Sequence, residues 1–275
     1  MEISIEIGGG AKCFDLADAK SIAIDLNFDG LQPQHFGADP ASRRPMKSGE
    51  FVGRTRSGGS CNVDILTINP HCNGTHTETV GHIVDEAVSI GSAAIEGLYL
   101  ARVVTVASVP AADCAETYLP EFEPRDRIIS REQLERVLIV QNPGPTQALI
   151  VRTVPNEPTK KSAQYGETRY PPYFSIEAIE LIIELGCEHL LVDLPSIDRM
   201  QDDGHMTNHH LYWDVKPGSK QLATTSRVRH TITEMIYVED AISDGLYLLN
   251  LQIAAFESDV SPSRPILYPL STRHK

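Results

Sequence analysis

Apolar positions along the chain follow three patterns. ISIEI (3–7) and SIAIDLNF (21–28) alternate apolar and polar side chains, the two-residue period of a strand with one covered face. LARVVTVASV (100–109) and QALIVRTV (147–154) are β-branched runs without that alternation, which predicts buried strands. NVDILTI (62–68), HTITEMIYVED (230–240) and GLYLLNLQIAAF (245–256) read as further strands. SIEAIELIIELG (175–186) switches to helical spacing, with Ser175 placed to cap its start and Gly186 to end it. SREQLERVL (130–138) is a second helix, opened by Ser130. CEHLLVDLPSID (187–198) is a strand with a buried apolar half and a polar exit.

Strands and helices mix here without a strict βαβ rhythm, and no repeat or boundary interrupts them. The expected fold is α/β, a single compact domain over residues 1–275 with a mixed β-sheet closing toward a barrel. Residues 31–60, rich in Gly, Pro, Arg and Ser, predict a long irregular segment. Loops of that length in a compact domain usually act as lids, or as arms reaching a neighbour.

Composition narrows the function. The 275 residues carry 37 acidic against 24 basic side chains, a net charge of −13. That sign repels phosphate backbones and anionic lipid, so neither nucleic acid nor a membrane surface is expected as a partner. The opening MEISIEIGGGAKCFDL lacks a cationic segment followed by an apolar run, and no stretch approaches the roughly 20 apolar residues of a membrane span. Five cysteines are scattered without C-x-x-C pairing, which suits a reducing, cytoplasmic setting. G-x-S-x-G, P-loop and dinucleotide fingerprints are missing from the sequence.

The chemistry concentrates in HCNGTHTETVGH (71–82), which holds three of the chain's ten histidines. His76 and Glu78 are two apart and share a face of an extended segment. Glu78 and His82 are four apart and share a face if the chain turns helical after Thr79. A strand-to-helix corner would gather all three, a ligand set suited to Zn²⁺, Mn²⁺ or Fe²⁺. His71 or Cys72 would add a ligand across the Asn73-Gly74 turn. Downstream, His209 and His210 diverge by about 100° on a helix or 180° on a strand, so only one of them faces a given ion. Glu234, flanked by apolar strand residues, asks for a metal, a salt bridge or a turn toward solvent. Asp198 either orients a ligand histidine or caps a turn.

GTHTETVGH resembles the G-T-H-x-D-x-P-x-H signature of the cyclase-like metal-dependent hydrolases, which include bacterial kynurenine formamidase and isatin hydrolase. In the family's order, SIAIDLNF is similar to its opening strand and LIVRT to its mid-chain strand. YPPYFSIEAIELIIELGCEHLLVDLPSID resembles its tyrosine-proline loop, helix and Asp-x-Pro-Ser-x-Asp strand, ITEMI its glutamate, and SDVSPSRP its ending. The resemblance implies a swivelling β/β/α fold, and metal ligands at His76, Glu78 and His209 or His210. It puts Glu234 at the family's glutamate and His82 at a ligand or acid/base position. It also implies a homo-oligomer, a dimer or larger, with 31–60 as a candidate intersubunit arm. Three positions depart from the pattern. Glu78 replaces an aspartate, which moves the carboxylate by roughly 1.5 Å, Val80 replaces a proline, and Cys72 stands where the family has its first histidine.

The expected activity is hydrolysis of an amide C–N bond in an aryl formamide or cyclic amide. One or two divalent ions, zinc before manganese, would activate water, with His82 as acid/base. Phe36, Tyr170, Tyr173 and Trp213 are candidate stacking residues for an aryl substrate. Two alternatives are a catalytically silent metal- or small-molecule-binding protein on the same fold, and a lactone hydrolase or cyclase.

Overall fold

A computed structural model describes residues 1–7, 10–93, 97–141, 146–166 and 169–271. Seven strands form its centre: β1 (His76–Glu78), β2 (Leu98–Ala107), β3 (Ala148–Val154), β4 (His189–Val192), β5 (Thr231–Glu234), β6 (Gly245–Ile253) and β7 (Val260–Pro269). Their order is β6-β2-β3-β4-β5-β1-β7, and β7 pairs back onto β6, so the mixed sheet closes into a barrel. β2, β3, β4 and β5 run parallel, while β1, β6 and β7 join antiparallel. Three helices, α1 (Arg131–Gln141), α2 (Ile176–Glu184) and α3 (Thr207–Trp213), complete an α/β domain.

The unbroken apolar runs are explained by two cores, one on each side of the barrel wall. On β3, Ala148 and Ile150 join Ala101, Val103 and Leu249 in one core. Leu149 and Val151 join Val104, Leu134, Ile179 and Trp213 in the other, under the helices. A strand covered on both faces cannot alternate apolar with polar. The capping predictions hold as well. The Ser175 hydroxyl accepts the Ala178 N–H at 3.0 Å, and Gly186 leaves α2 at φ 72°.

The strand readings differ from the structure in places, and HTITEMIYVED is a strand only over Thr231–Glu234. Of SIAIDLNF only Ser21 lies in a strand, Lys20–Ser21, paired with β7, although Ile22 and Ile24 are buried as its pattern requires. The next partner along β7 is Pro265. Its carbonyl accepts the Ile22 N–H at 3.1 Å, but without an N–H it cannot return the bond, and the ladder stops. β7 itself, with Pro262, Pro265 and Pro269, carries no strand signal in the sequence. Residues 31–60 are largely irregular, with short pairings of Ser42–Pro45 on Asp64–Thr67 and of Lys47–Ser48 on Phe51–Val52.

His189 begins β4 and is 2% exposed. Burial, followed by the charges of His230 and Arg229, pushes its pKa down to about 4. The unfolded chain therefore takes up this proton near pH 6.5, while the folded chain refuses it until about pH 4. Stability is full above the unfolded value and falls across that window, by on the order of 3 kcal/mol for this residue. Urea midpoints measured from pH 7 to 4 should fall less steeply in His189→Gln than in the wild type. Parallel slopes would remove His189 from the acid response.

Candidate metal centre

β1 supplies the middle of the site. His76, Glu78 and the Glu234 end of β5 lie on the same face of the wall as Ile232, the face covered by the helices. Thr77 points the other way and joins Thr233 and Ser263 through hydroxyl contacts at 2.8 Å. Before β1, Gly74 turns at φ 133°, a conformation that favours glycine, and brings His71 back over the strand. After it, the Thr79 hydroxyl accepts the Gly81 N–H and starts a 3₁₀ turn at Val80–His82, which puts His82 over Glu78.

The Glu78 carboxylate, 1% exposed, is ringed by imidazoles. His71 Nδ1 lies 2.9 Å from its Oε2, His209 Nε2 3.0 Å from its Oε1, and His82 Nε2 4.0 Å from its Oε2. His71 Nε2 is 2.8 Å and His82 Nδ1 3.6 Å from the Asp259 carboxylate. Ligand atoms of His71, His76 and Glu78 lie within 4.8 Å of one another, as do those of Glu78, His82 and His209, and those of His71, His82 and Asp259. Burial raises the Glu78 pKa, but His82, His209 and His71 outweigh it and hold the group well below the usual carboxylate range. Burial likewise lowers His71, yet hydrogen bonds to Asp259 and Glu78 push it up to about 10. Protons on these rings occupy positions where a cation would hold the same carboxylates.

His76 tests whether a metal fits. Its Nδ1 donates to the Gly74 carbonyl at 2.8 Å, so in the neutral ring Nε2 carries the lone pair. That atom is buried, has no hydrogen-bond partner among the described residues, and faces the Glu234 carboxylate at 3.4 Å. A lone pair against a carboxylate is repulsive, and a divalent cation between them removes the repulsion. Imidazole nitrogens with carboxylate oxygens suit zinc or manganese.

His209, in α3, is oriented from behind. Its Nδ1 donates to Asp198 at 2.5 Å, and Asp198 also accepts the N–H groups of Asn208 and His209 at the start of the helix. Asp198 therefore caps the helix and orients the His209 ring. A carboxylate behind a metal-binding imidazole fixes its tautomer and raises its basicity. Asp198→Asn should raise the zinc dissociation constant by about 10–100-fold, as read by competition with a fluorescent chelator. An unchanged constant would leave Asp198 as a helix cap alone.

Several sequence candidates fall outside the cluster. His210, one position along α3, turns away and contacts the Val215 carbonyl at 3.3 Å. The Cys72 thiol joins none of the ligand groups, and burial, then the Glu234 charge, raise its pKa. Tyr173, 2% exposed, donates its hydroxyl to Asp126, and Trp213, 0% exposed, donates Nε1 to the His230 carbonyl. Both are packed in the core and spend their polar atoms within the chain; Trp213 backs His209, with ring centroids 5.4 Å apart. The Arg125 guanidinium covers the Tyr170 ring at 4.2 Å, and Phe36 is 67% exposed. Asp259, which carried no signal beyond its place in SDVSPSRP, is the residue the sequence reading missed. It lines a cavity of about 520 Å³ with Gly81, Asp85, Glu86 and Glu257, beside half-exposed His71 and His82.

A family model described as "Putative cyclase" matches residues 2–199. No curated protein matches the chain. Among solved structures, an isatin hydrolase bound to the product analogue thioisatinate is 12% identical, with a TM-score of 0.63 over 92% of this chain and 93% of its own. Isatin hydrolase A from Ralstonia solanacearum is 13% identical, with a TM-score of 0.62 over 92% of each chain. A predicted metal-dependent hydrolase from Bacillus stearothermophilus is 11% identical, with a TM-score of 0.57 over 91% of this chain and 98% of its own. At such identities the likeness establishes the fold alone.

Proposed function

This chain belongs to the cyclase family, and from that premise we propose that it is a metal-dependent hydrolase of an amide C–N bond, in an aryl formamide or a cyclic amide. The observation that carries the reading is the buried Glu78 carboxylate ringed by His71, His82 and His209, with the unpartnered His76 Nε2 beside it. His76, Glu78, His209 and His71 would hold the ion, with Glu234 facing His76 Nε2. Zinc is the first expectation and manganese the second, as one ion or two. When bound, the ion supplies Lewis acidity, polarising the scissile carbonyl and bringing the pKa of a water to around 7.

His82 is the acid/base. It is 28% exposed and lies between the buried Glu78 carboxylate and Asp259, which lines the cavity. Asp259, at 3.6 Å from Nδ1, steadies the ring and balances the charge it gains, leaving Nε2 to take a proton from water and return it to the leaving nitrogen. Asp198 keeps His209 in the tautomer that presents Nε2. The chain is read as cytoplasmic and homo-oligomeric, with residues 31–60 as an arm toward a second copy. Among the described residues, no helix is long and apolar enough to cross a membrane.

Elemental mass spectrometry of the wild type and His76→Ala, followed by a panel of formanilides, isatin and lactones, tests the reading. Metal that is lost in the variant, with turnover of an amide, supports it. The replacement of the family's aspartate by Glu78 favours one rival, a metal-binding protein without catalysis, for which metal is retained but nothing in the panel turns over. Lactone turnover alone identifies the other rival, a lactone hydrolase or cyclase.

A further inference from the structure

His35 lies in the irregular segment 31–60, and the mechanism above does not use it. It is 2% exposed, and neither of its ring nitrogens has a hydrogen-bond partner among the described residues. Its backbone N–H donates to the Cys72 carbonyl at 3.2 Å, next to His71. The Phe36 ring packs against it at 4.1 Å between centroids, and Tyr165 meets it edge-on at 6.4 Å. The backbone around it is held in place, since Gln34 N–H donates to the Ala163 carbonyl and Tyr165 N–H to the Gln34 carbonyl, each at 2.9 Å.

Burying a polar atom without a partner costs free energy, and a phenyl ring would fill the same space without that penalty. A fixed imidazole retained beside a catalytic centre, with no use for its nitrogens within the chain, violates the local rule in the way functional positions do. We propose that His35 is a specificity-determining residue of this centre, hydrogen-bonding a second polar group of the substrate beside the scissile amide. The inference rests on the amidohydrolase reading above. A neutral imidazole offers one donor and one acceptor. Its partner is therefore an uncharged group such as a carbonyl oxygen, carried on an aryl body that Phe36 and Tyr165 flank.

The test compares wild type, His35→Phe and His35→Asn on two amides, formanilide and 2-formamidoacetophenone, which adds a carbonyl beside the scissile bond. His35→Phe should keep its metal and melt about 2–4 °C above the wild type, because an unpaired polar group has gone. Its KM for 2-formamidoacetophenone should rise about tenfold with little change in kcat, while formanilide is unaffected, and His35→Asn should restore part of the loss. Equal kinetics on both amides, or a lower melting temperature, would make His35 a packing residue and overturn the proposal. Loss of metal from His35→Phe would overturn it too, by placing the residue in the metal centre. A metal-loaded wild type that turns over neither amide defeats the amidohydrolase reading, and this inference with it. That failure is distinct because it appears before any variant is made.

Discussion

Glu78→Gln should abolish tight metal binding. The carboxylate sits at the meeting point of His71, His82 and His209, and its two oxygens each face an imidazole at about hydrogen-bond distance. The amide keeps the volume but removes the negative charge, and it presents an N–H₂ group to at least one ring nitrogen. Replacing groups behind a ligand costs about 10–100-fold in affinity, so losing the central carboxylate should cost at least the upper end of that range. The measurement is metal content by elemental mass spectrometry after dialysis, backed by chelator competition. Retention of wild-type metal by Glu78→Gln would show that the histidine cluster is an ion-pair network and not a metal site. Activity should disappear together with the metal.

Lys160→Met should be the most damaging change away from the site. The ammonium, almost fully buried, lies 2.7 Å from Asp193, and it also donates to the Thr153 carbonyl at 2.6 Å and hydroxyl at 2.9 Å. Asp193 accepts the Thr153 N–H and hydroxyl as well, each at 2.9 Å. Removing the cation leaves a buried carboxylate without its counter-charge, which typically costs about 3–5 kcal/mol. The melting temperature should drop by roughly 10 °C. Lys160→Met combined with Asp193→Asn should recover much of the loss, because the neutral pair no longer buries an uncompensated charge. A single variant as stable as the wild type would mean that water reaches Asp193. The pair also bears on function, since residues following Lys160 bond to Gln34 and hold the backbone next to His35.

The local parts of this molecule were legible in the sequence because they depend on neighbours only a few residues apart. The covered faces of β2 and β3, the capped ends of α2, and the spacing that stacks His82 over Glu78 all follow from chain geometry within a turn or a strand. The histidine pair shows where that legibility ends. Helical or extended geometry separates His209 from His210, but only the position of α3 against β1 selects His209. Cys72 and His71 were equal candidates until the Gly74 turn placed one ring over Glu78 and left the thiol aside. Tyr173 and Trp213 read as candidate stacking residues, yet Trp213 packs under the helices and Tyr173 against Tyr118 and Ile128.

The sequence by itself determined the class of fold, its two-faced central strands and the set of side chains from which a metal centre can be built. Tertiary structure decided which of those side chains meet. Asp259 reaches His71 across 188 positions of chain, and the barrel closes through β7, whose prolines break the strand pattern. Such contacts arise from strand pairing and ring closure, and the free energy of those steps is shared over the whole sheet. No short stretch of sequence carries their signature.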